Sequence, residues 1–172
     1  MQNDVQEILY SEQQIQDKVK EMGEIISRDF EGRNPLVICV LKGAFIFMSD
    51  LVKNITIPLE IDFMAVSSYG HSTKSSGVVK IIKDLDISVE GRHVLIVEDI
   101  IDSGLTLSYL IDVLERRNAL SITIAALFLT SLRVERPIWT QTIKALSSLM
   151  HSLSDTASIM RRSTAICLMS AF

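Results

Sequence analysis

The stretch HVLIVEDIIDSGLT, residues 93–106, decides the fold. After His93, Val94-Leu-Ile-Val97 is a short apolar run rich in β-branched residues, as expected for a strand covered on both faces. It runs straight into the carboxylates Glu98, Asp99 and Asp102, then into Ser103, Gly104 and Thr106, where a helix begins with Leu107, Leu110, Ile111 and Leu114 as its apolar stripe. A helix N-terminus presents unpaired backbone N–H groups to an anion, and Ser and Thr hydroxyls add donors, so residues 102–106 can cradle a phosphate. Gly104 lets the backbone approach it. Adjacent carboxylates repel unless something positive or hydroxylated sits between them, such as Mg²⁺ carrying a polyphosphate, or a vicinal ribose diol. Phosphate plus diol points to a nucleotide-like sugar. Taken singly, Asp102 or Ser103 reads more readily as a plain N-cap, with the other acids solvated. Taken together, three acids at a buried strand end carry a desolvation cost from which a fold gains nothing by itself.

Working outward, Ser11 and Gln14 form a capping-box pattern, and Ile15, Val19, Met22 and Ile26 recur at helical spacing, which predicts a helix over residues 12–28. Leu36-Val-Ile-Cys-Val-Leu41 is a second buried-strand run, interrupted by Lys42-Gly43, and residues 44–52 read as another helix. Residues 60–67 and 78–83 are strand candidates separated by SSYGHSTKSSG, a polar glycine-bearing segment expected to be a mobile loop. Ile122-Thr-Ile-Ala-Ala-Leu-Phe128 is a further buried strand. Strands alternating with helices predict an α/β fold with a mostly parallel central sheet flanked by helices, whose ligands bind beyond the carboxyl ends of the strands.

The 172 residues suit one domain with a substantial core, at 48% hydrophobic. A net charge of −4 argues against a nucleic-acid partner held by a basic surface. Two cysteines, Cys39 and Cys167, make neither a disulfide framework nor a metal-ligand spacing, and the N-terminal residues show no signal pattern. No run reaches the roughly 18 apolar residues of a membrane span. A cytoplasmic protein is expected. The average hides a seam, however. Residues 1–128 hold all seven glycines and 19 acids against 12 Lys and Arg; residues 129–172 hold two acids against five Lys and Arg, and no glycine. A glycine-free, serine-rich ending is an odd way to close a domain whose turns need φ > 0 positions.

The string of residues 94–106 resembles the phosphoribosyl pyrophosphate (PRPP) signature of type I phosphoribosyltransferases. With Val40-Leu-Lys-Gly-Ala44, Ser67-Ser-Tyr-Gly70 and Gly77-Val-Val-Lys-Ile-Ile-Lys-Asp-Leu-Asp86, the resemblance narrows to the bacterial hypoxanthine(-guanine) phosphoribosyltransferases and covers residues 5–128. It implies the type I fold, Mg²⁺ as cofactor, and purine salvage: transfer of 5-phosphoribosyl from PRPP to hypoxanthine or guanine, giving IMP or GMP and pyrophosphate. It implies that Glu98 and Asp99 hold the ribose hydroxyls and Mg²⁺, that Asp102 is the catalytic proton acceptor facing purine N7, and that Ser103, Gly104, Leu105 and Thr106 bind the 5′-phosphate. Lys42 and Gly43 are implied to hold pyrophosphate through a turn with a cis peptide before the lysine. Ser68 and Tyr69 are implied to close over the reacting centre. A homo-oligomer, dimer or tetramer, is also implied. The alternative function is a non-catalytic PRPP- or nucleotide-binding regulator on the same fold.

The resemblance stops at Phe128, where the family continues with D-K-P and later V-V-G-Y-G-L-D-Y. The residues 129–172 read as an out-of-frame tail of low order. Leu129-Thr-Ser-Leu132 can be encoded TTG ACA AGC CTN, and starting from the third base gives GAC AAG CCT, which is D-K-P. The same offset from Met150 onward gives A-F-V-V-G-Y-G-L-D-Y-A-E-K with suitable codons. An extra T in a T-run at residues 127–129 produces such a shift. By the resemblance, the displaced segment carries the lysine that reads the purine 6-oxo group, the aromatic that stacks on the base and the arginine that contacts pyrophosphate. Impaired purine turnover is therefore expected.

Overall fold

The computed structural model describes residues 10–68, 79–102, 104–129 and 142–146. The elements in order are α1 (Glu12–Asp29), β1 (Leu36–Leu41), α2 (Phe45–Lys53), β2 (Glu60–Ser68), β3 (Val79–Lys83), β4 (His93–Ile101), α3 (Leu105–Arg116), β5 (Ser121–Leu129) and β6 (Thr142–Leu146). The capping box at the start of α1 forms as the sequence predicts: the Ser11 hydroxyl accepts from the Gln14 amide, and the Gln14 side chain accepts from the Ser11 amide.

One six-stranded sheet runs β3-β2-β1-β4-β5-β6. All pairings are parallel except β2 with β3. Strand alternation divides the core cleanly. Val37, Cys39, Leu95 and Val97 face α1 and α2, packing with Met22, Ile26, Phe47 and Leu51. Leu36, Ile38, Val40, Val94 and Ile96 face α3, packing with Leu107, Leu110 and Leu114. Burial on both faces is why β1 and β4 read as unbroken apolar runs. No helix among the described residues is long and apolar enough to cross a membrane.

From β1 the chain moves outward through β2 to β3; from β4 it moves the other way through β5 to β6. The strand order therefore reverses between β1 and β4, the place where an open α/β sheet leaves a crevice at its carboxyl edge.

Two boundaries differ from the sequence expectation. The strand expected to end at Val97 continues to Ile101, because β5 keeps pairing with it through Glu98↔Ala126, Ile100↔Phe128 and Ile101↔Leu129. On the other side its ladder with β1 stops at Cys39↔Val97. Glu98 and Asp99 thus lie within the strand, on a stretch paired on one side only. The sheet also passes the seam at Phe128: β5 reaches Leu129, and Thr142–Leu146 adds β6 in parallel beside it. Every other position after Leu129 lies outside the described residues.

Helices α1 and α2 meet with no spare room. A Cβ at Gly23 would lie 2.5 Å from the Asn54 carbonyl oxygen and 2.7 Å from its carbonyl carbon. Ser27, one turn on, donates to the Gly23 carbonyl and accepts from the Thr56 amide. Gly23→Ala should gain up to about 1 kcal/mol of helix propensity. It should lose more, about 1–3 kcal/mol, to overpacking against backbone that cannot rotate away. A lower urea midpoint at unchanged slope is expected, and a raised midpoint would refute the close packing.

Candidate active site

The β1–α2 turn and the far end of β4 flank the crevice. Lys42 and Gly43 follow β1, both exposed, and the Leu41–Lys42 peptide is cis, as the family resemblance implies. Against this turn lies Asp99. A Cβ built on Gly43 would stand 2.8 Å from Asp99 Oδ2, 3.1 Å from Oδ1 and 3.2 Å from Cγ. Residues 56 positions apart in sequence are thus brought into contact.

Asp99 lies against the Lys42–Gly43 turn, and Glu98, its neighbour on β4, is close enough to feel the Asp99 charge. Both are partly buried, and among the described residues neither forms an ion pair. Burial, reinforced by the Asp99 charge, pushes Glu98 up to about 8. Burial also raises Asp99, against the opposing hydrogen bond its Oδ1 accepts from the Ile100 amide at 2.9 Å. The Cys39 thiol, buried on β1, is pushed up to about 11 by burial and then by both acids. Two acids held out of water without a cation is an arrangement that a divalent ion would relieve. No group of three or more His, Cys, Asp or Glu among the described residues is placed to hold a metal ion. Mg²⁺ commonly binds one or two carboxylates and takes its other ligands from phosphate and water.

Beyond β4, Asp102 is exposed and Gly104 begins α3. Gly104 sits at φ +73, in the left-handed region that favours glycine, and its carbonyl accepts from the Ser108 amide at 2.8 Å. The N-cap position of α3 is Gly104 itself, which has no side chain to contribute. Leu105 is exposed and Thr106 partly so at the first turn of α3. Ser103 and Tyr69 lie outside the described residues, as does the expected loop from residue 69 onward; Ser67 and Ser68 close β2.

Several interactions had no sequence signal. Buried Asp62 on β2 accepts from the amides of Phe63, Asp86 and Ile87, so it ties the segment after β3 to the sheet. Asp84 there receives both guanidinium nitrogens of Arg117, each at 2.7 Å, anchoring the same segment to the end of α3. His93 meets Ser121 at 2.6 Å and the Phe30 ring edge-on, at the opposite end of the strands from the crevice.

A model of the phosphoribosyl transferase domain matches residues 5–145. The chain belongs to that family. Its fold is that of the type I phosphoribosyltransferases. Among relatives of this phosphoribosyltransferase, the hypoxanthine-guanine phosphoribosyltransferase of Bacillus subtilis is 59% identical over 127 residues, covering 74% of the chain and 71% of the relative. The bifunctional protein TilS/HprT of Listeria innocua is equally similar over 127 residues, and the chain spans only 20% of its length. A hypoxanthine phosphoribosyltransferase structure from Staphylococcus aureus superposes with a TM-score of 0.78 at 40% identity, over 86% of this chain and 81% of that one. A hypoxanthine-guanine phosphoribosyltransferase from Bacillus anthracis gives 0.77 at 40% identity, over 85% and 86%.

Proposed function

We propose that the chain carries the PRPP half of a purine phosphoribosyltransferase, acting on hypoxanthine or guanine. The observation that carries this reading is the meeting of the Lys42–Gly43 turn with Asp99 at the strand-order reversal, beside the start of α3 at Gly104. In the reaction, purine N9 bonds to C1′ of PRPP as the bond from C1′ to the pyrophosphate oxygen breaks, and the purine loses one proton. Charge develops on the sugar and on the leaving group, so the protein's task is to position and to stabilise charge. The first-turn amides of α3, with Thr106, hold the 5′-phosphate. Glu98 and Asp99 orient the ribose hydroxyls. Asp102, exposed at the strand end, accepts the proton from the base. Lys42 offers an ammonium to the departing pyrophosphate. Mg²⁺, when bound by Glu98 and Asp99, supplies countercharge to that diphosphate.

Purine capture is the weak half. The family's base-reading lysine and stacking aromatic have no counterpart after Phe128 in the frame translated here. Isothermal titration tests the reading. Mg²⁺–PRPP is expected to bind, with hypoxanthine binding and pyrophosphate release far below those of a full-length relative. Absence of Mg²⁺–PRPP binding would overturn it, and binding of both ligands without any pyrophosphate release would favour a regulator.

A further inference from the structure

We infer that Gly43 is a positioning residue for Asp99: its missing side chain is the space in which the carboxylate rests, so the β1–α2 turn and the acid hold one another in place. This deepens the proposed function and rests on it for its consequence, though not for its geometry.

A glycine commonly answers one of four needs: a left-handed backbone, a tight contact between main chains, close approach of the main chain to a ligand, or room for a neighbouring group. The first does not apply. The glycines at positive φ among the described residues are Gly32, Gly91 and Gly104, and Gly43 is not one of them. The second does not apply either, since the three atoms nearest a Gly43 Cβ all belong to the Asp99 side chain. Gly43 is also exposed, so no packed core excludes a methyl group there. Two claims on the space remain, the pyrophosphate read to lie on this turn and the carboxylate; the carboxylate already occupies it, with Oδ2 2.8 Å and Oδ1 3.1 Å from the Cβ position, and the Asp99→Ala background below separates the two.

The contrast with Gly23 fixes what a substitution should do. At Gly23 the obstacles include the Asn54 backbone, which cannot move without the helix. At Gly43 the obstacle is the end of a side chain, which can rotate at small cost to the fold. The added methyl group therefore displaces the acid rather than unfolding the domain. Displacement breaks the placement of Asp99, whose Oδ1 is otherwise steadied by the Ile100 amide. Misplacing a catalytic or ligand-binding group by about 1 Å can cost on the order of 100-fold.

The test is Gly43→Ala in the full chain, read three ways. Its thermal midpoint should stay within a degree or two of the parent's, while Mg²⁺–PRPP affinity falls at least about tenfold. In an Asp99→Ala background the same substitution should cost nothing further, because no carboxylate remains to be displaced. Ligand-observed NMR at millimolar PRPP extends that comparison to weak binding. A crystal structure of Gly43→Ala should show the Asp99 carboxylate moved off the turn, and it decides the geometry even where no binding is measurable. An unmoved carboxylate, unchanged affinity in a parent that binds, or equal losses with and without Asp99 would each overturn the inference. A parent that fails to bind Mg²⁺–PRPP while the carboxylate moves as described would instead sink the proposed function and leave the positioning role standing.

Discussion

Glu98→Gln is expected to reduce Mg²⁺–PRPP affinity by at least about 100-fold while making the ligand-free chain harder to unfold. The two effects share one cause. Glu98 is a partly buried carboxyl with no cationic partner among the described residues, beside a second acid, and it titrates near 8 in place of 4.5. Its folded form holds a proton that the unfolded chain has already released. Its contribution to stability is therefore full below pH 4.5 and is lost as pH rises through about 8. Replacing it with a neutral amide should remove that loss, a gain on the order of 1–3 kcal/mol at pH 8.5 after allowance for its partial contact with solvent. For a domain of this size each kcal/mol corresponds to about 2–4 °C. Melting curves of parent and variant at pH 5 and pH 8.5 should diverge only at the higher pH, and a variant less stable than the parent at pH 8.5 would contradict the assignment. Titration calorimetry at pH 8.5 should show the affinity loss in the same samples.

Removing one base near codon 128 is expected to produce the second large effect, a gain of purine turnover. The curated relatives match over 127 or 128 residues, 74% of the chain, and the composition changes after residue 128. In the restored frame the segment would regain a cation facing the purine oxygen and another facing pyrophosphate. Charged hydrogen bonds of this kind contribute about 1.5–3 kcal/mol each. Two of them imply a rise in kcat/KM on the order of 10²–10⁴. Steady-state IMP formation by the two proteins checks this, and equal rates would end the frame hypothesis. So would a nucleotide sequence in which deletion of one base fails to restore D-K-P.

The legible parts of the fold were those encoded locally. Ser11 and Gln14 are three residues apart, and their reciprocal hydrogen bonds follow from helix geometry alone. The apolar runs 36–41 and 94–97 announce strands buried on both faces because nothing else in them has to be explained. The extension of β4 through Glu98 and Asp99 was not legible. Two acids look like the end of a strand, and only the ladder supplied by β5 shows otherwise. Asp62 was equally silent, since its burial makes sense only once the amides of Asp86 and Ile87, 24 and 25 residues away, are seen to satisfy it. The motif residues of the site could be read, but not their relation. That Gly43 and Asp99 touch is a fact of the assembled sheet.

Cys39 carries a practical consequence. It lies at the centre of β1, inaccessible to water, with a thiol that ionises only near 11. Alkylating reagents attack the thiolate and need access, so in the closed state this sulfur should be inert. With Cys167→Ser removing the other thiol, the rate of iodoacetamide labelling would clock how often the middle of the sheet comes apart. One native atom would thus report breathing of the strand that leads into the Lys42–Gly43 turn, without any fluorophore being introduced.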